Sequence, residues 1–302
     1  MDYLLRSMLF VPAHKERFLQ KAVSCDADAL IFDMEDAVPS AEKESAGKLL
    51  DQYLKSGAFS GKTIFVRVNE LGSGWLENDM DLLKNPDMLG IVAPKVRSAE
   101  DIHKFERMLA QQEIRNGFQK GKFCLLPLIE TASAVMNIKE IASCSSRIIA
   151  LLFGGEDYLD SVWGKHLEPP EALAVPRAMI VMAARMNHIL PIDTPYLDLK
   201  NEAGFVAEET ASAALGFAGM LLVTPDQIDW ANRCFSPSQE ELCYAQAIQK
   251  AVMEEKERNN IARLHGKLIG PPMMKRAEKI LAVNRMINSS RREKGGKQES
   301  NG

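Results

Sequence analysis

Short apolar runs recur along the chain and are separated by stretches with helical periodicity. Eight runs have the length and composition of strands, at residues 7–13, 29–36, 63–70, 90–96, 123–130, 147–157, 188–196 and 217–225. Most are apolar throughout rather than alternating with polar residues, as is typical of parallel strands covered on both faces. Eight strand-then-helix units predict an α/β fold, a (β/α)8 TIM barrel, over residues 1–235.

An open, doubly wound sheet would give the same alternation of strands and helices. Its phosphate-binding signature, GxGxxG after an early strand, does not occur in the sequence. The number and spacing of the strands therefore favour the closed barrel.

The pattern changes after residue 235. SPSQEELCYAQAIQKAVMEEKERN places Ser236 at the N-cap and Pro237 at the first position of a long helix, and a second helical stretch ends near residue 287. We expect residues 236–287 to form appended C-terminal helices at a subunit interface, with packing on their own barrel as the alternative. Residues 288–302 are polar and predict a disordered tail.

Composition limits the classes of function. A net charge of −4 and a pI near 5.9 argue against a nucleic-acid partner held by phosphate contacts. No apolar run has membrane-spanning length and the first residues lack the parts of a secretory signal, so we expect a cytoplasmic protein with no membrane partner. The five cysteines lack paired spacing and no histidines have metal-ligand spacing, so any bound metal is expected to have oxygen ligands.

Polar residues end seven of the eight predicted strands. They are Asp33, Glu35, Asp36, Arg67, Asn69, Lys95, Glu130, Glu156, Asp157, Asp193 and Thr224. Barrels of this kind carry their chemistry at the carboxyl ends of the strands, whereas the opposite end serves stability. We therefore expect these side chains to converge on one rim.

Two neighbouring strands end in carboxylates. Glu130 ends LLPLIE and Asp157 ends the next strand, in LLFGGEDYLD, where Gly154 and Gly155 would let the backbone approach a ligand closely. Carboxylates from adjacent strand ends, with water and substrate oxygens, make a typical Mg2+ site. The alternative is that Glu130 forms a salt bridge with an arginine or lysine of the rim and binds no metal.

Arg67 ends the third strand without an acidic neighbour in sequence. Its guanidinium could clamp a carboxylate or a carbonyl group with two hydrogen bonds. It could equally serve as a structural partner for Asp33 or Glu35. Glu35 and Asp36 would either hold the water shell of the metal or cap the following helix.

Seven segments, RSMLFVPA, ALIFDMEDAV, TIFVRVNE, LLPLIETASAV, LLFGGEDYLD, DTPYLDLKNEAGF and TPDQID, resemble the citrate lyase β-subunit family, within an aldolase group that includes malyl-CoA and citramalyl-CoA lyases. The resemblance runs in order through residues 6–282. It implies a Mg2+-dependent TIM barrel, a homo-oligomer that is usually a trimer, and cleavage of a carbon–carbon bond in a 3-hydroxy-acyl thioester. The implied partners are an acyl-CoA or acyl-carrier thioester and a 2-keto acid.

The resemblance also implies roles for individual residues. Glu130 and Asp157 match Mg2+ ligands, Arg67 matches the arginine that holds the keto-acid end, and Glu35 and Asp36 match acids that order the metal's water. Asn201, Glu202 and Gly204 match a motif that frames the rim of the active site. We expect Arg67, Glu35 and Asp36 to be the catalytic residues, and Gly155, Glu156 and Asp193 to bind the substrate together with Arg67.

Three positions in two segments depart from the family pattern. Gly270, in GKLIGPP, stands where the family has an aspartate that acts as an acid or base in the neighbouring subunit's site. Met220 stands where lysine is usual, and Thr224 where histidine or asparagine is frequent. Loss of a general acid or base costs roughly 10²–10⁴ in rate.

Three functions are compatible with these residues. The first is a lyase of this family with an altered substrate or a replacement acid or base, such as a water or Asp193. The second is a different reaction at the same site, such as thioester hydrolysis. The third is a protein that binds metal and keto acid with little turnover.

Overall fold

The apolar segments form eight parallel strands in the computed structural model, which describes residues 3–165, 170–257 and 262–299. The strands are β1 (Ser7–Pro12), β2 (Ala29–Asp33), β3 (Ile64–Arg67), β4 (Met88–Ala93), β5 (Cys124–Ile129), β6 (Ala150–Phe153), β7 (Leu190–Asp193) and β8 (Gly219–Leu222). Each strand pairs with the next, and β8 pairs with β1. The prediction of a closed (β/α)8 barrel is confirmed.

Helices connect the strands over the outside of the barrel. They are α1 (Glu16–Ser24), α2 (Lys43–Lys55), α3 (Leu76–Met80), α4 (Ala99–Arg115), α5 (Ala132–Met136), α6 (Ile138–Ser143), α7 (Gly155–Ser161), α8 (Ala174–Met186), α9 (Glu202–Leu215) and α10 (Ile228–Cys234). Within the described part of the chain, no helix has both the length and the apolar character needed to cross a lipid bilayer.

Alternation along each strand decides which residues meet the helices and which fill the barrel. Leu30, Val66 and Leu151 share one buried cluster with helical residues such as Leu50 and Phe105, so they face outward. Their strand neighbours are also buried and face inward by the two-residue period of a strand. Each strand contributes at least one such residue, for example Met8, Ile31, Phe65, Val92, Leu126, Leu152, Ile192 and Leu221.

Buried ion pairs occupy the amino-terminal end of the barrel. Glu113 of α4 accepts hydrogen bonds from Nη1 and Nη2 of Arg147, at 2.6 and 2.8 Å, and from the backbone N–H groups of Gly121 and Phe123. Both side chains are buried. These bonds fix the segments that lead into β5 and β6.

Residues from Ser236 onward form a second unit. It contains α11 (Gln239–Glu257), a short antiparallel pair of β9 (Arg263–Leu264) and β10 (Lys267–Leu268), and α12 (Pro271–Glu299). Its apolar core consists of Ala245, Ile248, Ala262, Ile269, Ala277 and Leu281. The expected placement of this unit at a subunit interface stays a prediction.

Two local predictions in this unit differ from the structure. The cap of α11 is Ser238 rather than Ser236, because the Ser238 hydroxyl and the Glu241 carboxylate exchange hydrogen bonds with each other's backbone N–H in a capping box. The backbone of α12 remains helical to Glu299, through most of the stretch expected to be disordered. Arginine, lysine and glutamate in that stretch have good helix propensity, which polarity alone does not reveal.

We expect the Glu113–Arg147 pair to make stability depend on pH. Burial alone would raise the pKa of Glu113, but the hydrogen bonds from Arg147, Phe123 and Gly121 outweigh it and lower the pKa from 4.5 to about 2. A carboxyl whose pKa is lower in the folded state stabilises the fold fully above its unfolded pKa, and loses that contribution as pH falls toward the folded value. Glu113→Gln should lower the free energy of unfolding by about 3–5 kcal/mol at pH 7, with a smaller difference at pH 3.

Urea unfolding of both proteins at the two pH values measures this effect. Glu100→Gln, at an exposed position on the same helix, is the matched control and should change the free energy of unfolding little. A Glu113→Gln deficit of the same size at both pH values would contradict the prediction.

Candidate active site

Arg67 and Asp33 form a buried ion pair at the carboxyl end of the barrel. They are the last residues of β3 and β2, and they are partners in the strand register. Arg67 donates Nε to Oδ1 of Asp33 at 2.8 Å and Nη2 to Oδ2 at 2.5 Å, while its guanidinium lies 4.7 Å from the ring centre of Phe10. The structural partnership left open by the sequence is therefore present, and Nη1 is the part of the guanidinium that Asp33 does not contact.

Glu35 lies beside this pair with an incompletely satisfied carboxylate. Its side chain is 5% exposed, and Nη1 of Arg67 and Nζ of Lys95 each lie 3.2 Å from one of its oxygens. Neither contact has hydrogen-bond geometry, so among the described residues no donor satisfies Oε1 or Oε2. Burial, together with the charge of Asp36, raises the pKa of Glu35 to about 7 against the opposing effect of Arg67 and Lys95.

Glu130 follows the last residue of β5 and is almost fully buried, at 1% exposure. Its Oε1 accepts a hydrogen bond of 2.5 Å from the backbone N–H of Lys95. Burial raises the pKa of Glu130 to about 8, and the negative charges of Asp157 and Glu35 add to the increase. A buried carboxylate with acidic neighbours is poorly stabilised unless a cation joins it. Over the ranges that the structure describes, Arg67 and Lys95 form ion pairs with Asp33, Glu35 and Asp36, and the alternative salt bridge from either of them to Glu130 is not formed.

Gly154 and Gly155 bring the backbone against other residues of the site. A Cβ on Gly154 would lie 2.7 Å from Cβ and 2.8 Å from Oε2 of Glu130, and one on Gly155 would lie 2.8 Å from Oγ1 of Thr194. The Gly155 N–H also donates to that hydroxyl at 2.9 Å. Close approach is thus required, but toward protein side chains rather than directly toward a ligand.

Asp157 belongs to a helix and not to a strand end. β6 stops at Phe153, and Glu156 and Asp157 lie exposed in the first turn of α7, where acidic residues are favourable. The apolar run predicted a longer strand because the sequence does not mark where the ladder ends. Asp157 still lies close enough to Glu130 to influence its pKa.

A buried network that sequence analysis missed supports the segment carrying Glu35. Nζ of Lys43 donates to the carbonyl oxygens of Met34 and Glu35, at 2.8 and 2.9 Å, and to Oδ1 of Asn69. Asp79 accepts two hydrogen bonds from Asn69, one from its backbone and one from its side chain. The sequence contained one signal of this network: Lys43 and Asp79 occupy positions that the helical periodicity of α2 and α3 predicts to be buried.

Asp193 lies in a different environment from the other strand-end acids. It is 0% exposed, and it accepts hydrogen bonds from Arg177 of α8 at 3.0 Å and from Ser212 of α9 at 2.6 Å. Contacts with α8 and α9 mean that Asp193 faces the helix layer rather than the barrel mouth. The geometry therefore favours a structural role over the expected contact with substrate.

The remaining family positions have local structural roles. Asn201 caps α9 by accepting from the N–H of Gly204, a Cβ on Gly204 would collide with the hydroxyl of Tyr196, and Glu202 pairs with Arg233. Met220 is the second residue of β8, is 0% exposed and packs in the outward-facing core. Met220 thus lies between the strands and the helices rather than inside the barrel.

The residues at the mouth fit a hard divalent cation. Carboxylates gather around Arg67 and Lys95, and among the described residues the oxygens of Glu35 have ion-pair contacts but no hydrogen bond. In the described residues, no three histidine, cysteine, aspartate or glutamate side chains make a ready metal cluster. A cation held by Glu130 and Asp157 would therefore keep several water or substrate oxygens, which is the usual state of Mg2+ in proteins.

Comparison with known proteins gives the same assignment as the quoted motifs. Residues 6–225 match the family described as HpcH/HpaI aldolase/citrate lyase. The chain belongs to this family. The family is one of aldolase-type carbon–carbon lyases, and the relatives of this chain include citrate lyase β subunits and malyl-CoA thioesterases, which agrees with the resemblance inferred from the sequence.

Individual relatives of the HpcH/HpaI family cover nearly the whole chain. Citrate lyase subunit beta of Escherichia coli K12 is 32% identical over 278 residues, which are 92% of this chain and 92% of the relative. A (3S)-malyl-CoA thioesterase of Cereibacter sphaeroides is 31% identical, covering 87% of this chain and 89% of the relative. The citrate lyase beta subunit of M. tuberculosis, complexed with oxaloacetate and magnesium, superposes with a TM-score of 0.64 at 25% identity, covering 77% of this chain and 99% of that one.

We predict that Gly154→Ala displaces the Glu130 carboxylate. Because the added methyl would overlap Cβ and Oε2 of Glu130, the variant should lose about 1–3 kcal/mol of unfolding free energy, as overpacked positions do. Gly47→Ala in α2 is the matched control, since its added methyl meets only the end of Met34 at 3.7 Å. Urea unfolding of the two variants measures the difference, and equal stability would show that Gly154 is not sterically constrained.

Proposed function

We propose that the chain is a Mg2+-dependent carbon–carbon lyase that cleaves a 3-hydroxy-acyl thioester, such as citramalyl-, malyl- or citryl-CoA, into an acetyl thioester and a 2-keto acid. The observation that carries the proposal is the position of Glu130, a carboxylate with 1% exposure that follows β5 and lies near the acids Asp157 and Glu35. A divalent cation would offset the repulsion between the carboxylate of Glu130 and those of Asp157 and Glu35. Membership of the HpcH/HpaI family supports the reaction class.

The bonds that change in this reaction define what the site must do. The hydroxyl at carbon 3 loses its proton, the bond between carbons 2 and 3 breaks, and a carbonyl forms at the former hydroxyl carbon. The electron pair passes to the thioester fragment as an enolate, which takes up a proton to give the acetyl thioester. The site must therefore hold the keto-acid oxygens and manage one proton at each fragment.

Different residues at the mouth of the barrel would perform these tasks. Mg2+ held by Glu130 and Asp157 would act as a Lewis acid on the carboxylate and carbonyl oxygens of the keto acid. Arg67, fixed by Asp33, would present Nη1 to the same end of the substrate. Glu35, whose oxygens no donor satisfies among the described residues, and Asp36 would accept hydrogen bonds from ordered water.

Asp157→Asn should weaken Mg2+ binding by about tenfold or more while leaving the fold intact, because an amide is a weaker ligand than a carboxylate for a hard cation. Asp160→Asn lies exposed in the same helix and is the matched control. Calorimetric titration of the folded proteins with Mg2+ measures the effect. Unchanged affinity in the Asp157 variant would remove this residue from the metal site.

Thioester hydrolysis is a second candidate function. Water would add to the thioester carbonyl and the carbon–sulfur bond would break, giving a free thiol and a carboxylic acid. Two observations favour it: the 31% identity to a (3S)-malyl-CoA thioesterase, and Gly270 at the position where the lyase family supplies a proton-transferring aspartate. Such a reaction needs no proton donor for an enolate.

The position of Gly270 permits a direct test of the missing group. Its carbonyl oxygen accepts from the N–H groups of Met273 and Met274 at the start of α12, and an added Cβ would meet only Pro272, at 3.6 Å. Gly270→Asp should therefore fold normally. If this segment completes the site of a neighbouring subunit, as we propose, lyase turnover should rise by roughly 10²–10⁴.

Gly270→Asn is the control for that variant. Asparagine caps a helix as well as aspartate does but cannot transfer the proton. Equal turnover in the two variants would mean that aspartate acts only on the helix, and no change in either would mean that the segment does not reach a site.

A coupled assay distinguishes the proposed functions. Citramalyl-CoA, malyl-CoA and citryl-CoA are offered with Mg2+, and both keto acid and free thiol are followed. Keto acid appearing with acetyl-CoA supports the lyase, whereas free thiol without keto acid supports the thioesterase. Mg2+ binding with neither product would favour a metal- and keto-acid-binding protein of low turnover.

A further inference from the structure

Lys95 has a backbone conformation that is unusual for a lysine. It follows β4 directly after Pro94, and its φ angle is +51°, in the left-handed region. A proline followed by a residue of positive φ is typical of a type II turn, where glycine or asparagine usually takes the second central position. A lysine at such a position is strained, since its Cβ crowds the backbone.

The left-handed backbone has a clear consequence for Glu130. The N–H of Lys95 donates to Oε1 of Glu130 at 2.5 Å, across the gap between the ends of β4 and β5. A turn without the positive φ would send this N–H in another direction. The Lys95 amide thus holds the carboxylate through Oε1, and Oε2 has room only because position 154 carries no Cβ.

The side chain of Lys95 extends to the acids that follow β2. Its Nζ lies 3.2 Å from Oε1 of Glu35 and 3.5 Å from Oδ1 of Asp36, with the side chain 30% exposed. Lys95 therefore contacts Glu130, which follows β5, through its main chain. Its ammonium group contacts Glu35 and Asp36, which follow β2.

We propose that Lys95 is a positioning residue whose left-handed backbone aims its N–H at Glu130 and so fixes this carboxylate for metal binding. The inference rests on the proposed function only for the identity of the metal. The hydrogen bond and the backbone conformation are features of the chain itself.

Three uncharged substitutions separate the effect of the backbone conformation at position 95 from the effect of the lysine charge. Lys95→Gly, Lys95→Asn and Lys95→Val all remove the same positive charge, so electrostatic changes at the site are matched among them. Glycine and asparagine tolerate a positive φ, whereas a β-branched residue does not. Mg2+ should bind Lys95→Gly and Lys95→Asn with similar affinity, and Lys95→Val about tenfold more weakly, as for other groups that orient metal ligands.

His188 provides the control for backbone strain alone. Its φ is +59°, and it lies just before β7, away from the mouth. His188→Val and His188→Gly should differ in thermal stability but bind Mg2+ equally. If Lys95→Val binds Mg2+ as tightly as Lys95→Gly, the inference is overturned even though the metal assignment stands.

A second measurement does not depend on metal. If Glu130 is the partner that holds the strained turn, the penalty of valine relative to glycine at position 95, measured as the shift in urea midpoint, should shrink in a Glu130→Ala background. An equal penalty in both backgrounds would overturn the inference. Failure of the wild-type protein to bind Mg2+, with the coupling present, would instead overturn the metal in the proposed function and leave the Lys95–Glu130 link in place.

Discussion

The buried pair between Arg67 and Asp33 sets the conditions for everything else at the mouth of the barrel. Because the guanidinium is committed to Asp33 through two hydrogen bonds, its charge is only partly available to the neighbouring acids. Burial raises the pKa values of Glu35 and Glu130, and the charge of Arg67 offsets only part of that increase. The pair also joins the ends of two neighbouring strands, so the acids project from a rigid base.

The sequence was sufficient to predict the barrel and the end of it that carries the acids. Strand order follows from eight apolar segments, and parallel pairing brings their carboxyl ends together. The faces of the strands were not predictable, because strands buried on both sides show no alternation between apolar and polar residues. Asp193 and Arg67 each end a strand in the same way, yet the first faces the helix layer and the second faces the mouth.

The features of the site that the sequence did not predict depend on contacts between segments far apart in the chain. No pattern reveals that Gly154 must leave room for Glu130, or that the Lys95 amide is directed at the same carboxylate. The network of Lys43, Asn69 and Asp79 is of the same kind, since its members come from three separate segments. The apolar pattern also did not show where β6 ends. Asp157 was therefore expected at a strand end, whereas it lies in a helix.

The opposite end of the barrel has a different electrostatic character. There Arg147 is matched by Glu113, and Arg6 is matched by Asp28 through bonds of 2.8 and 2.9 Å. Charges balanced in this way hold loops together and leave nothing for an incoming ion to neutralise. Substitutions meant to raise thermal stability and substitutions meant to alter the chemistry of the mouth therefore have different targets, at opposite ends of the barrel.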